Sequence, residues 1–264
     1  MDPVTQMLAR AARGGVSYYA DAAVYIAATG ELFPSALNTL VLELKAAGFW
    51  GSGVVALKKA IGVPSLSASL VDLVTPALTG SAGNTPGHSA TQGWILASAS
   101  SQYIDSGFSG ASHASQNSIH VGARVKAYAN AANQEICGAL NAGATAQIRL
   151  LLTTTGNLFA RINDASNLSV AASPTTPGHY IGSRTASNAK ASYKSSSQLA
   201  TAATASTGDI TPNVFVGARN NNGSPDTYFS GRITMFHAGA GLDATQAAAV
   251  TALCDAYATA AGEA

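Results

Sequence analysis

The spacing of apolar residues along the chain changes once, near Pro64. Before that point it is helical. Val4, Met7, Leu8 and Ala11 form one stripe, opened by Asp2 as cap and Pro3 at the first helical position. Tyr18, Ala22, Tyr25 and Ile26 form a second that stops at Gly30, and Leu37, Leu40, Val41 and Leu44 form a third between Pro34 and Gly48. Three short helices are expected. An isolated helix shorter than about 12 to 15 residues is marginal in water, so these need a surface to cover. Phe49, Trp50, Val54, Val55, Leu57 and Ile61 read as an apolar joint leading out of them, and Lys58-Lys59 as a solvated face.

After Pro64 the chain is rich in Ser, Thr and Gly, with short β-prone runs at 70–74, 94–96, 102–104, 119–128, 147–152, 157–162, 179–182, 191–193 and 214–218. Alternation is clearest where Ile119, Val121, Ala123 and Val125 oppose His120, Gly122, Arg124 and Lys126. The last part reads as a strand at 214–219, a turn at 220–226, and a strand at 227–237 with Phe229, Ile233 and Met235 on one face. A helix follows, with Asp243 and Gln246 as a capping box, Leu242 and Ala247 as a staple, and Val250, Leu253, Cys254 and Tyr257 as its apolar stripe. Many short strands without interleaved long helices predict a mainly β fold, an antiparallel sandwich or jelly roll. Residues 1–62 then form a helical segment, and residues 63–264 a sandwich closed by a helix.

Charged residues make up only 10% of the chain, against about a quarter in ordinary globular proteins. The net charge is +1, and no basic stripe is visible, so no nucleic-acid partner is expected. No apolar run approaches about 18 residues, so no membrane insertion is expected either. Cys137, on a strand, and Cys254, on the last helix, read as buried thiols.

Catalytic patterns are sparse. Between residues 81 and 240 the acids are Asp105, Glu135, Asp164, Asp209 and Asp226, with no two close enough in sequence to form the carboxylate pair of a glycosidase on one strand. No Gly-x-Ser-x-Gly elbow occurs. His88, His113, His120, His179 and His237 show no ligand spacing, so no cofactor is expected. His120 and His237 read as structural. Calcium is a secondary expectation, through Asp164 or Asp226, although each loop offers a single carboxylate. Val121-Gly122-Ala123-Arg124, Ile181-Gly182-Ser183-Arg184 and Val216-Gly217-Ala218-Arg219 repeat one pattern at unequal spacing. This reads as Gly allowing a close approach, with Arg on the wet face. The loop holding Asn220, Asn221, Asn222 and Asp226, followed by Tyr228, carries amides and an aromatic suited to sugar hydroxyls, and forms the candidate glycan contact.

Phe229, Gly231 and Ile233, followed by a helix from Leu242, resemble the end of a laminin-G-like or concanavalin A-like sandwich. Leu73-Val74-Thr75-Pro76, Gly93-Trp94 and Gln102-Tyr103-Ile104-Asp105-Ser106-Gly107 resemble motifs of structural proteins of tailed bacteriophages. The chain departs from those motifs at Asp72, at Ala99-Ser100-Ser101 and at Ser106. The resemblance implies a non-enzymatic virion protein of the tail or head. It would be homo-oligomeric, bound to other virion proteins through Val4, Met7, Leu8, Tyr25, Leu37, Leu40 and Trp50, and would display the sandwich to host-surface glycan. The alternatives are a carbohydrate-active enzyme and a cellular glycan-binding module.

Overall fold

The structure, a computed structural model, describes residues 18–129, 132–155, 157–171 and 177–263. Val4, Met7 and Leu8 lie outside the described residues. The next two apolar stripes form helices α1 (Ala20–Thr29), ended by Gly30 in the left-handed region, and α2 (Pro34–Ala46). The strands are β1 (Ala56–Lys59), β2 (Ser81–Gly83), β3 (Gly87–Ser89), β4 (Gly93–Leu96), β5 (Tyr103–Asp105), β6 (Ile119–Tyr128), β7 (Gln134–Leu140), β8 (Gln147–Leu152), β9 (Asn157–Asp164), β10 (Leu168–Ala171), β11 (Gly178–Ala186), β12 (Ala189–Lys194), β13 (Ser197–Ala202), β14 (Phe215–Val216), β15 (Arg219–Asn221), β16 (Ser224–Asp226) and β17 (Gly231–Gly239). Two short helical turns, α3 (Leu66–Ser69) and α4 (Gly110–His113), interrupt them, and α5 (Ala244–Ala260) closes the chain.

The strands build the expected sandwich. Sheet I runs β13-β12-β11-β6-β17-β4-β3, with β1 also on β17. Sheet II runs β10-β9-β8-β7-β14-β5-β2, with β15 also on β7 and β16 on β15. Pairing is antiparallel except between β15 and β7. The alternation read from β6 is realised: Val121, Ala123 and Val125 turn inward, where they join Ile148, Leu150, Ile162, Tyr180 and Phe236 between the sheets. The other face of sheet I is also covered. Tyr25, Leu37, Leu40, Ile181, Met235, Val250, Cys254 and Tyr257 form a second apolar cluster, so α1, α2 and α5 make a third layer. The capping box of α5 forms in both directions between Asp243 and Gln246. Among the described residues the long helices α1, α2 and α5 all lie on sheet I, and none covers the outer face of sheet II.

Several local readings change. Lys58 and Lys59 are fully buried, not solvated, because β1 is covered on both faces. Lys58 faces Asp72 at 3.4 Å. Lys59 ion-pairs with Glu31 and sits between the rings of Tyr25 and Tyr257, 4.9 and 5.0 Å from their centroids. Residues 70–74 form no strand, since the Asp72 carboxylate gathers the backbone N–H groups of Leu57, Val74 and Thr75 into a turn. The 214–219 run breaks at Gly217 into β14 and β15, and the last strand begins at Gly231 instead of Thr227. Arg184 is fully buried against Asp164, and Arg124 binds Asp255 and Glu263, so two of the three repeated arginines leave the wet face they were given.

Leu40, 2% exposed, should lose about 2 to 5 kcal/mol of stability as Leu40→Ala, read as a lower urea midpoint at unchanged slope. Removing residues 1–48 should open the second cluster to water and also lower the midpoint; an unchanged midpoint would show these helices to be dispensable to the sandwich.

Candidate functional site

On the uncovered face of sheet II, strand register assembles a site that no single segment contains. Along β8, Ile148, Leu150 and Leu152 enter the core, so Arg149 and Leu151 point the other way. Along β9, Leu158, Ala160 and Ile162 enter the core, so Phe159 and Arg161 point out. Arg149 is paired with Arg161, and Leu151 with Phe159. On the other side Gly138 of β7 is paired with Arg149 and, across the parallel contact, with Arg219, which in turn faces Asp226. A row of three arginines therefore crosses four strands. Beside it runs a second row of Phe159, Leu151 and Glu135. The depression over these rows has a volume of about 260 Å³ and is lined by Asn133, Arg149, Leu151, Phe159, Arg161, Asn167 and Thr227.

Like charges on neighbouring strands repel, so the row needs anions. Glu135 supplies one: fully buried, it accepts from Arg149 Nε at 3.0 Å and Nη2 at 2.6 Å. Gly138 makes this possible, because a Cβ there would stand 2.4 Å from Glu135 Oε1. Burial pushes the Glu135 carboxyl up, against the opposing pull of Arg149. Asp226 supplies the second anion, accepting from Arg219 Nε at 2.7 Å and Nη2 at 2.6 Å. Burial raises its pKa, but the hydrogen bonds and charge of Arg219 outweigh that and leave it below the usual carboxylate range.

Arg161 differs. Its Nε donates to Asn167 Oδ1 at 2.6 Å and its Nη1 to Gln147 Oε1 at 2.7 Å, both neutral acceptors. Among the described residues no carboxylate ion-pairs with it. Burial, then the nearby charge of Arg149, lower its pKa, against the opposing pull of Glu135 and Asp164. Three guanidiniums against two carboxylates leave one positive charge on the basin.

Of the residues singled out from sequence, Asp226 joins the arginine row as the partner of Arg219, and the others lie elsewhere. Asn220 is buried, donating to Asn213 O and accepting from Gly223 N. Asn221 is exposed but donates to Asp226, Asn222 occupies the turn at φ +48°, and the Tyr228 hydroxyl donates to Pro225 O at 2.9 Å. The loop is closed on itself and meets the basin through Thr227, which lines it, and through the pairing of Asp226 with Arg219. Tyr25, Leu37 and Leu40 are buried within this chain, while Trp50 is half-buried beside Lys45. The carboxylates named for calcium are held by cations of the chain, Asp164 by Arg184 and Lys190, and Asp226 by Arg219. Among the described residues no cluster of three or more His, Cys, Asp or Glu forms a metal site. Arg149, Arg161, Glu135 and Phe159 were missed. The available signal was a charged residue at an outward position within two apolar runs of a charge-poor chain.

No protein-family signature matches the chain, and no curated protein matches it. Solved structures do. A mutant of Trypanosoma rangeli sialidase displaying trans-sialidase activity is similar over 85% of this chain and 39% of its own, with 11% identity and a TM-score of 0.58. Trypanosoma rangeli sialidase itself is similar over 84% and 39%, with 9% identity and a TM-score of 0.54. The CBM40 of Ruminococcus gnavus IT-sialidase is matched over 52% of this chain and 84% of its own, with 18% identity and a TM-score of 0.42. The chain thus spans about two fifths of the two Trypanosoma proteins, and what it shares with them is the fold. The expectation that the chain is not an enzyme is corrected here: the solved structures of similar fold are sialidases, which are enzymes, and the likeness to them is one of fold. The bacteriophage resemblance, with its virion location and virion partners, draws no support from these neighbours beyond the sandwich.

Proposed function

We propose that this chain is a glycan-recognition sandwich whose basin on sheet II takes a sugar bearing a carboxylate. The observation that carries the reading is Arg161, a held but uncompensated cation beside Arg149, with Phe159 one residue pair away. A guanidinium binds a carboxylate through two parallel hydrogen bonds, an aromatic ring takes the apolar face of a pyranose, and Asn133, Asn167 and Thr227 offer amides and a hydroxyl to sugar oxygens. A volume of about 260 Å³ suits one monosaccharide at the end of a glycan. The sialidases that share the fold are proteins of acidic-sugar chemistry, which supports the same reading.

Calorimetry with α2,3-sialyllactose and with lactose tests it. The acidic sugar should bind and lactose should bind at least about tenfold more weakly, since a charge-assisted hydrogen bond contributes about 1.5 to 3 kcal/mol and each 1.4 kcal/mol is tenfold. Arg161→Ala should lose about 10- to 100-fold for sialyllactose, and Arg161→Lys should recover only part, because a point charge replaces a planar fork. Asn221→Ala and Tyr228→Ala should bind like the parent. Equal binding of the two sugars, or loss confined to Asn221→Ala and Tyr228→Ala, would remove the basin as the site. Mass spectrometry of the same mixtures reads whether bound sialyllactose is cleaved.

A further inference from the structure

Three histidines far apart in sequence meet on the helix-covered face of sheet I. His120 on β6, His179 on β11 and His237 on β17 are all fully buried. His237 is paired with Gly122 across the sheet, and a Cβ on Gly122 would stand 2.4 Å from its ring, so the missing side chain is the space the imidazole fills. The rings form a file. His120 Nδ1 lies 2.6 Å from Ala240 O, His120 Nε2 lies 2.8 Å from His237 Nδ1, and His237 Nε2 lies 2.6 Å from His179 Nε2.

The file fixes its own protons. A carbonyl only accepts, so His120 carries hydrogen on Nδ1 and a lone pair on Nε2. His237 then donates from Nδ1 and accepts at Nε2, and His179 donates from Nε2. His179 Nδ1 is left as a buried lone pair without a partner among the described residues. A further proton on His120 or His237 would set two N–H groups against each other, and one on His179 would bury an unpaired donor and a charge. The file ends at Ala240, where the chain leaves β17 for the cap of α5.

Other titratable groups face it from the packed elements. Arg124 stands on the same face of sheet I; α5 brings Asp255 and Cys254, and Glu263 follows just after it, the two acids pairing with Arg124 at 3.0 and 2.5 Å. The rest of that layer carries the Glu31 and Lys59 pair with Tyr257. Burial pulls His120 down to about 4; burial, then Arg124 and His120, pull His179 down to about 3; and His237 falls well below its usual value through burial and its two neighbours.

We propose that this file is an acid-released clasp, through which protonation of the three histidines frees α5 from sheet I. The sign follows from linkage. The docked state holds the imidazoles neutral, whereas an opened state protonates them near the ordinary value of 6.5. Docking is therefore fully stable above about pH 6.5 and is lost as pH falls from there toward the docked values. Each histidine favours opening by up to about tenfold per pH unit, and three together by up to about a thousandfold. The inference is independent of the glycan basin, which lies on the other sheet.

Cys254 reports the opening, since it is buried in the α5 interface, and Cys137 serves as control, since it is buried between the sheets. Labelling with 4,4′-dithiodipyridine would be followed in full-length Cys137→Ala and Cys254→Ala chains between about pH 7 and pH 5, each rate divided by that of the unfolded chain at the same pH. Cys254 labelling should accelerate by about 100-fold or more, with a steepness near three protons, while Cys137 accelerates by less than about tenfold. His179→Gln, added to the Cys137→Ala chain, keeps a donor toward His237 and should reduce the steepness by about one proton. A flat profile at Cys254 would overturn the clasp, as would equal acceleration at Cys137, which would mean global unfolding. If His179→Gln does not fold, the two single-cysteine chains still decide the question.

Discussion

The buried contact of Glu31 with Lys59 and Tyr257 joins parts of the chain that the sandwich alone would not. Glu31 follows α1, Lys59 ends β1, and Tyr257 lies near the end of α5. Glu31 Oε1 accepts from the Tyr257 hydroxyl at 2.8 Å and from Phe33 N at 3.0 Å, while Oε2 takes the lysine. A lysine buried without an anion would cost several kcal/mol, so once β1 is covered on both faces the carboxylate and the helix that brings it must be present. Burial still pulls Lys59 down to about 8, against the pull of Glu31. The contact commits α1, α2 and α5 to sheet I. Among the described residues the outer face of sheet II is then the broad strand surface open to a ligand.

Elements whose signal is local were legible in the sequence. The stripes of α1 and α2, the alternation of β6, the bounds of β8 and the capping box of α5 all follow from side-chain spacing within one element. What failed was polarity read as exposure. Lys58 and Lys59 looked solvated because lysines usually are, yet the covered environment of β1 comes from Asp72 and Glu31, 14 and 28 residues away. β7 hides its nature in the same way. Every residue from Gln134 to Leu140 is buried, but Gln134, Glu135 and Gly138 blur the apolar pattern.

The candidate site was not legible because it is a product of register. Arg149 and Arg161 are 12 positions apart in the chain and become neighbours only when β8 pairs with β9. Glu135 reaches Arg149 only because Gly138 lacks a side chain on the strand between Arg149 and Arg219. The three histidines are the same lesson on the other sheet, with Gly122 as the empty position. All three repeated glycines are close-approach positions, as the sequence pattern suggested: a Cβ would stand 2.4 Å from His237 at Gly122, 2.7 Å from Ile162 at Gly182 and 2.4 Å from Leu96 at Gly217. All three arginines that follow are in ion pairs, and Arg184 is in the interior.

Low charge content taken alone suits a surface covered by partners or facing sugars. The ion pairs give a different account. Lys58, Lys59, Arg124, Arg149, Arg184, Lys190 and Arg219 each reach a carboxylate of this chain, five of them with side chains no more than 10% exposed. A chain with few charges that spends them internally has little need for a cation held between neutral partners. Arg161 is such a cation: Asn167 and Gln147 fix its guanidinium without neutralising it. A surface lysine would have to lose its own rotamer freedom to meet an anion. Arg161 has already lost it on folding, so the ordering cost that weakens most surface ion pairs does not fall on the binding step.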